Sequence, residues 1–198
     1  MATLAIQSAV ETQGRLFTAA DLAAMPTHLP SGDVDFELDK GRFRLMVPPG
    51  EVHSEIHNFL SAVLFNQGRQ PGHGRAYTEI GIVLSRSPDT VVGADAAFVT
   101  SAKCPVRRSP EGYLETIPDL VIEIRSRNDS IPETQAKASA YLDAGVRVVW
   151  IVDPMTKTVV EHRPGSDSTA YNEPDTLTID DVIPGFRLSV AEIFSVTD

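Results

Sequence analysis

Cysteine is nearly missing from this chain of 198 residues: Cys104 is the only one, so no internal disulfide can form and no thiolate cluster can hold a metal. It stands in "SAKCPVRR", between lysine, proline and arginines, without the strand-to-helix elbow that would present a catalytic nucleophile. Long apolar runs are missing too. Nothing approaches the run of about 18 apolar residues that a membrane helix needs, and "MATLAIQSAV" lacks the basic start and apolar stretch of a secretory signal. These absences lead us to expect a soluble protein kept in the cytoplasm, with no membrane partner. Positive charge is in short supply: 17 Lys and Arg face 27 Asp and Glu, for a net charge of -10. That balance argues against strong nonspecific binding to nucleic acid phosphates. Local clusters soften the argument, because "KCPVRR" and the pair Arg125 and Arg127 concentrate cations within the acidic whole. A phosphate-cradling glycine loop is also lacking, since "GHGRA" around His73 has no lysine and reads as a turn.

What is present suffices for a proper core, with 42% hydrophobic residues in a length that fits one domain. We find no internal repeat, low-complexity segment or dividing linker. Residues 1–16 show no clear period and are read as an N-terminal extension to a single domain over 17–198. "FTAADLAAMP" has the marks of a short helix, with Thr18 as N-cap, Asp21 as the acid of a capping box and Pro26 as its stop. "DFELDKGRFRLM" alternates about Asp39-Lys40-Gly41, which predicts a hairpin pairing Phe36–Leu38 with Phe43–Leu45. Ile56, Phe59, Leu60, Val63 and Leu64 recur at helical spacing.

Two strands joined by "SPDT" follow, then a proline- and glycine-bearing loop, "CPVRRSPEGYLET". Next come the strand "PDLVIEIRS" and a helix over "SIPETQAKASAYLDAGV", with Pro132 in its first turn and Gly145 at its C-terminal end. "VRVVWIVDP" is a core strand in which Trp150 faces inward and Asp153 closes the run. "TVVEHRPG" pairs with it, and "LTIDDVIPGFRLSVAEIF" gives a short strand and a closing helix. The order describes an α/β, or mixed α+β, fold: a mixed central sheet flanked by helices.

One strand poses a chemical question. In "PDLVIEIRS" alternate residues share a face, so Leu120, Ile122 and Ile124 point one way while Asp119, Val121, Glu123 and Arg125 point the other. A carboxylate in so apolar a strand costs several kcal/mol unless something compensates it. Three compensations are open for Glu123: a metal ion, Arg125, or Lys137 from the following helix. Asp95, in "VVGADAAFV", is a second acid inside an apolar strand. Two acids on neighbouring strands with a lysine on an adjoining helix suit magnesium-dependent phosphodiester hydrolysis: hard divalent ions want oxygen ligands, and the lysine can orient water and hold developing charge. The apolar positions Ala136, Ala140 and Tyr141 put Lys137 on or beside the helix face that meets the sheet. His53 and His57 lie four apart, but "HSEIH" is not the "HExxH" order of zinc proteases, and solvated helix polar residues are the simpler reading.

The segments "FTAADLAAMP", "FELDKGRF", "PPGEVH", "ADAAFV", "PDLVIEIRS" and "ETQAKASAYLDAGVRVVWIVDP" stand in an order and spacing that resemble the Uma-two family, a branch of the PD-(D/E)XK nuclease superfamily. The likeness runs from about Phe17 to Phe194. It implies a restriction-endonuclease-like core and a metal-dependent endonuclease acting on nucleic acid, DNA in first place. It further implies a homodimer and a magnesium or manganese cofactor. Asp95 and Glu123 then match the metal-binding acids, and Lys137 a lysine moved from strand to helix, with Tyr141 one turn on. Glu37, His53 and Glu79 match polar positions that border the site. Each also has a plainer reading, as strand-edge hydrogen-bonders for Glu37 and Glu79 and as a helix cap for His53.

Three residues depart from the family's pattern: Ala94 stands for proline before the first acid, Glu133 opens the lysine helix, and Arg125 replaces an apolar residue. Arg125 restores a cation where the wider superfamily keeps its lysine. It can replace Lys137, assist it, position substrate, or quench Glu123 and leave a catalytically idle module.

Overall fold

A computed structural model of the chain describes residues 15–29, 32–46, 48–104, 107–127 and 129–195. Most of the N-terminal extension therefore lies outside the described residues. Helix α1 (Ala19–Ala23) is capped as its sequence implies: Thr18 accepts from the Asp21 amide while the Asp21 carboxylate accepts from the Thr18 amide. Strands β1 (His28–Leu29) and β2 (Gly32–Asp33) form a small ladder of their own. Strands β3 (Asp35–Asp39) and β4 (Arg42–Met46) make the expected hairpin, Phe36 opposite Leu45 and Leu38 opposite Phe43. Its two-residue loop needs positive φ twice, which Lys40 at 47° and Gly41 at 77° supply.

Helix α2 (Glu51–Leu64) runs on through a π-helical turn over Phe65–Arg69. Strands β5 (Gly74–Ser85) and β6 (Thr90–Thr100) are long antiparallel neighbours. After the loop comes β7 (Leu120–Ile124), then helix α3 (Ile131–Asp143), with Gly145 at φ 103° beyond its end. Strand β8 (Val148–Asp153) lies parallel to β7, and β9 (Thr158–His162) and β10 (Thr169–Tyr171) continue antiparallel. A short ladder of β11 (Thr176–Leu177) with β12 (Leu188–Ser189) leads into α4 (Val190–Ser195). The small ladder β1–β2, the strand β10 and the pairing of two short strands, β11 with β12, where the sequence shows only one, escaped the sequence reading, because two or three residues carry too little alternation to register.

The large sheet runs β10-β9-β8-β7-β6-β3-β4, with β5 also on β6. It is mixed and flanked by helices. On one face Leu120, Ile122, Ile124 and Trp150 pack with Ile56, Leu60 and Leu64 of α2 and with Phe186 and Phe194 near the C-terminus. On the other, Val121, Val149 and Ile151 pack with Ala138 and Tyr141 of α3. The buried face of α3 is thus built on Ala138 and Tyr141, with Lys137 beside them. Ala136 and Ala140, expected to share that face, are exposed. Phe17, Phe36, Phe43 and Leu38 close a third cluster under α1.

One feature of this sheet positions everything that follows. Strand β5 covers one edge of β6 throughout, but the other edge is shared: β3 meets it only at Val91, and β7 only from Ala96 to Phe98. Between those contacts the sheet forks, and residues 92–95 of β6 face a gap with no strand in it. Helix α3 stands over the gap, held at its start by a capping box in which Ser130 and Glu133 exchange hydrogen bonds. Ser130→Ala should lower stability by about 1 kcal/mol, measured by urea denaturation, and the loss should be matched by Glu133→Ala because the two residues form one box.

Candidate active site at the fork of the sheet

A strand edge without a neighbour leaves amides and carbonyls that must find other partners when buried. At the fork they find side chains. The Gly93 amide donates to Oε1 of Glu37 at 2.8 Å. The Gly93 carbonyl accepts from Nζ of Lys137 at 2.8 Å and from the Tyr141 hydroxyl at 3.3 Å. Across the gap the Ile124 amide, which would have continued the β6–β7 ladder, donates instead to Oδ2 of Asp95 at 2.6 Å. The carboxylate of Asp95 therefore lies in the opening between the strands rather than out on one face.

Local distortion puts it there. Val92 and Ala94 share a core with Ala97 and Val99, so the in-and-out alternation of β6 slips by one residue around Asp95. On β5 the neighbouring Glu79, flanked by the pairs Thr78 with Ala96 and Ile80 with Ala94, takes a left-handed conformation at φ 47°. A residue without glycine's freedom holds that conformation only when its surroundings enforce it. The Glu79 side chain is exposed and is not brought into the cluster.

The second acid enters from β7. Glu123 is buried, and both its oxygens are engaged: Oε1 accepts from the Tyr141 hydroxyl at 2.6 Å and Oε2 from Nζ of Lys137 at 2.9 Å. Lys137 lies also 3.4 Å from Oε1 of Glu37. One ammonium thus joins β3, β6 and β7 through Glu37, Gly93 and Glu123. Of the two side-chain cations open to Glu123, Lys137 is the one the fold uses, one turn before Tyr141 on the same helix face. Arg125 turns away. Its Nη1 donates to Asp153 at 2.6 Å and its Nε to the Asp129 carbonyl at 3.1 Å, so it pairs away from Glu123.

The histidines of α2 are not solvated surface residues. Nε2 of His53 lies 3.2 Å from Oδ2 of Asp95, and Nε2 of His57 lies 2.8 Å from the Asp95 backbone oxygen. The reading of His57 as a solvated helix residue is thus corrected, and its four-residue spacing from His53 was the signal that both face one way. The plain helix-cap reading of His53 gives way to a contact with Asp95. Of the residues singled out, the fork unites Glu37, His53, Asp95, Glu123, Lys137 and Tyr141.

Titration behaviour separates the two acids. Burial would push the Asp95 carboxyl up, but the hydrogen bond and charge of His53 and the Ile124 amide hold it below the ordinary aspartate range. His53 rises in turn: burial works against its charge, yet the contact with Asp95 outweighs it. Burial raises Glu123 to about 7, with the charge of Asp95 adding to the rise and Lys137 and Tyr141 resisting it. For Lys137 burial is overcome by Glu123 and Glu37, and the ammonium is held well above its usual range.

Among the described residues no three His, Cys, Asp or Glu side chains converge as a ligand set. Hard divalent ions are bound through one or two carboxylates and complete their shell with water and substrate oxygens. The oxygen donors available are those of Asp95, whose hydrogen bonds converge on Oδ2, and of Glu123.

A model of the family described as "Uma2: Putative restriction endonuclease" matches residues 20–191. Among solved structures, the chain is similar to a putative nuclease belonging to DUF820 from Anabaena variabilis ATCC 29413. The TM-score is 0.75 and the sequences are 21% identical, over 91% of this chain and 98% of that one. At such identity the likeness shows a shared fold. Comparison with curated proteins finds no match.

Glu123 gives a pH-dependent test. In the folded chain it keeps its proton up to about pH 7, whereas an ordinary glutamate loses it near 4.5. The folded state binds more protons over that interval, so the contribution of Glu123 to stability falls as pH rises through it. A divalent ion that uses the carboxylate competes with the same proton. Manganese should therefore raise the melting temperature little well below pH 7 and more above it, and Asp95→Asn should abolish the rise. An equal rise in the variant would place the ion elsewhere.

Proposed function

The chain belongs to the Uma2 family, and on that footing we propose that it is a metal-dependent endonuclease hydrolysing phosphodiester bonds of DNA at the fork. The observation that carries this reading is the convergence of Asp95, Glu123 and Lys137 from three elements on one gap in the sheet. Magnesium or manganese, held by Asp95 and Glu123, would polarise the phosphoryl oxygen and lower the pKa of a bound water. The protein's own groups have distinct tasks. Lys137 keeps a compact positive charge beside both acids, where it can orient water and stabilise charge developing on phosphorus. Tyr141 fixes one oxygen of Glu123, and Glu37 steadies Lys137 through both its charge and Gly93. His53 holds Oδ2 of Asp95 in place. In the overall reaction water adds to phosphorus, the phosphorus bond to the leaving sugar oxygen breaks, and the proton lost from water is balanced by one gained at that oxygen.

A catalytically idle nuclease-fold module is the second reading. Its support is that Lys137 and Tyr141 already occupy both oxygens of Glu123, in a protein of net charge -10. Activity separates the two. With manganese and supercoiled DNA, the unmutated protein should nick or cut, and Lys137→Ala should remove nearly all turnover. Arg125→Leu should keep much of it, because Arg125 is tied to Asp153. Loss with Arg125→Leu and survival with Lys137→Ala would reverse the assignment. No cleavage by the unmutated chain under these conditions favours the idle module.

Two-strand cutting by single-site subunits is served by two-fold symmetry, and a homodimer is part of the proposal. Light scattering at micromolar concentration should give twice the chain mass of 21.5 kDa. A monomer would count against it.

A further inference from the structure

The edge strand β4 carries charge that the site chemistry leaves unused. In the β3–β4 register Glu37 stands opposite Arg44, Asp39 opposite Arg42 and Asp35 opposite Met46. Directly opposed residues share a face, so Arg42 and Arg44 lie on the face of Glu37, the acid that touches Lys137. The other face of the hairpin presents Phe36, Leu38 and Phe43 to the cluster under α1. Both arginines are exposed, and β4 ends the large sheet, with no strand on its outer side among the described residues.

Two other cations near the fork are spent: Lys137 is bound within it and Arg125 is tied to Asp153. Arg42 and Arg44, among the described residues, have no carboxylate within ion-pair distance and no hydrogen-bonded acceptor. Arg44 is close enough to the start of α3 for its charge to be felt at Glu133, whose carboxyl is held low chiefly by Ser130. It therefore stands between the free edge of the sheet and the helix that delivers Lys137.

The geometry points to the Arg42–Arg44 face of the hairpin as the track along which a DNA backbone reaches the fork, Arg44 holding a phosphate beside the scissile one and Arg42 the next. Two residues apart on one strand face, the guanidinium groups start about 6.7 Å from each other, a spacing of the order of neighbouring phosphates on one strand. The planar guanidinium fork suits phosphate oxygens, which it can grip with two hydrogen bonds. A second copy adding its strand to β4 fits this edge less well, because antiparallel pairing of like edges would set arginines against arginines. The acids Asp35, Asp39 and Glu37 on the same face confine the attraction to the outer strand. This inference deepens the nuclease reading and rests on it.

Binding measured without turnover separates the two. In the Asp95→Asn background, with a short fluorescent DNA duplex and no metal, Arg44→Gln should weaken binding about tenfold. It should also lower the slope of log affinity against log salt by about one. Arg42→Gln should act in the same sense, less strongly. Arg44→Lys, which keeps the charge, should restore the slope while recovering only part of the affinity. Arg187→Gln, remote from the fork and paired with Asp180, should change neither.

If the Asp95→Asn protein binds the duplex and Arg44→Gln binds it equally with the same slope, the hairpin track is wrong while the nuclease reading stands. If the Asp95→Asn protein binds no duplex although the unmutated chain cleaves DNA, the track is again wrong. Absence of both binding and cleavage overturns the two together. Binding of single-stranded RNA alone, with the arginine dependence intact, overturns DNA as the partner.

Discussion

The unpaired edge of β6 at Gly93 is the constraint from which the rest of the site follows. A buried amide or carbonyl left without a partner costs about 1–3 kcal/mol, and at the fork no strand can supply one. Glu37, Lys137 and Tyr141 satisfy Gly93 with side-chain atoms, and Asp95 does the same for Ile124. The groups that complete the backbone are the groups that hold Glu123. Structure and chemistry are therefore built from one set of hydrogen bonds. A polar cluster that would be expensive in the middle of a sheet is stabilising here, because the sheet has already lost its ladder at that point.

The fork also divides two carboxylates of nearly equal intrinsic acidity. Asp95 receives a backbone amide and a histidine, and it stays ionised. Glu123 is enclosed and lies in the field of Asp95, and it moves to about 7. Hydrogen-bond donors govern the first acid, burial and a neighbouring like charge the second. The lysine between them is not free to neutralise both. Its ammonium is shared with Glu37 and with the Gly93 carbonyl as well as with Glu123.

Much of this could be seen in the chain before the fold. The capping boxes, the hairpin turn, the apolar strands and the helical spacing of α2 are local patterns, and local patterns are what a sequence displays. Asp95 and Glu123 stood out because charge in an apolar run is anomalous by itself, and Lys137 as a cation on the helix that follows Glu123. The fork could not be read, since it depends on β3 and β7 meeting the same edge of β6 at positions far apart in the sequence. Its consequences were hidden for the same reason. The slip of alternation at Asp95, the left-handed Glu79 and the inward turn of His57 all follow from a tertiary break in the ladder. The face of α3 was misjudged more simply: Ala136 and Ala140 are small enough to sit in solvent, and Ala138 was the alanine that mattered.

Arg125 shows how a change of sequence at a site can be neutral to its charge. Two residues beyond Glu123 on the same strand, it has the position from which to capture that carboxylate. The parallel neighbour β8 offers a nearer acid, because the end of β8 brings Asp153 alongside the end of β7. Pairing there joins two half-buried groups, and the Arg125 amide adds a backbone bond to Val152. An arginine in that setting gains a partner without crossing the core. The cation that Glu123 feels is therefore set by the placement of α3, not by its own strand. Because α3 is fixed by its Ser130 cap at one end and by Tyr141 against Glu123 at the other, the charge at the fork is a property of helix docking.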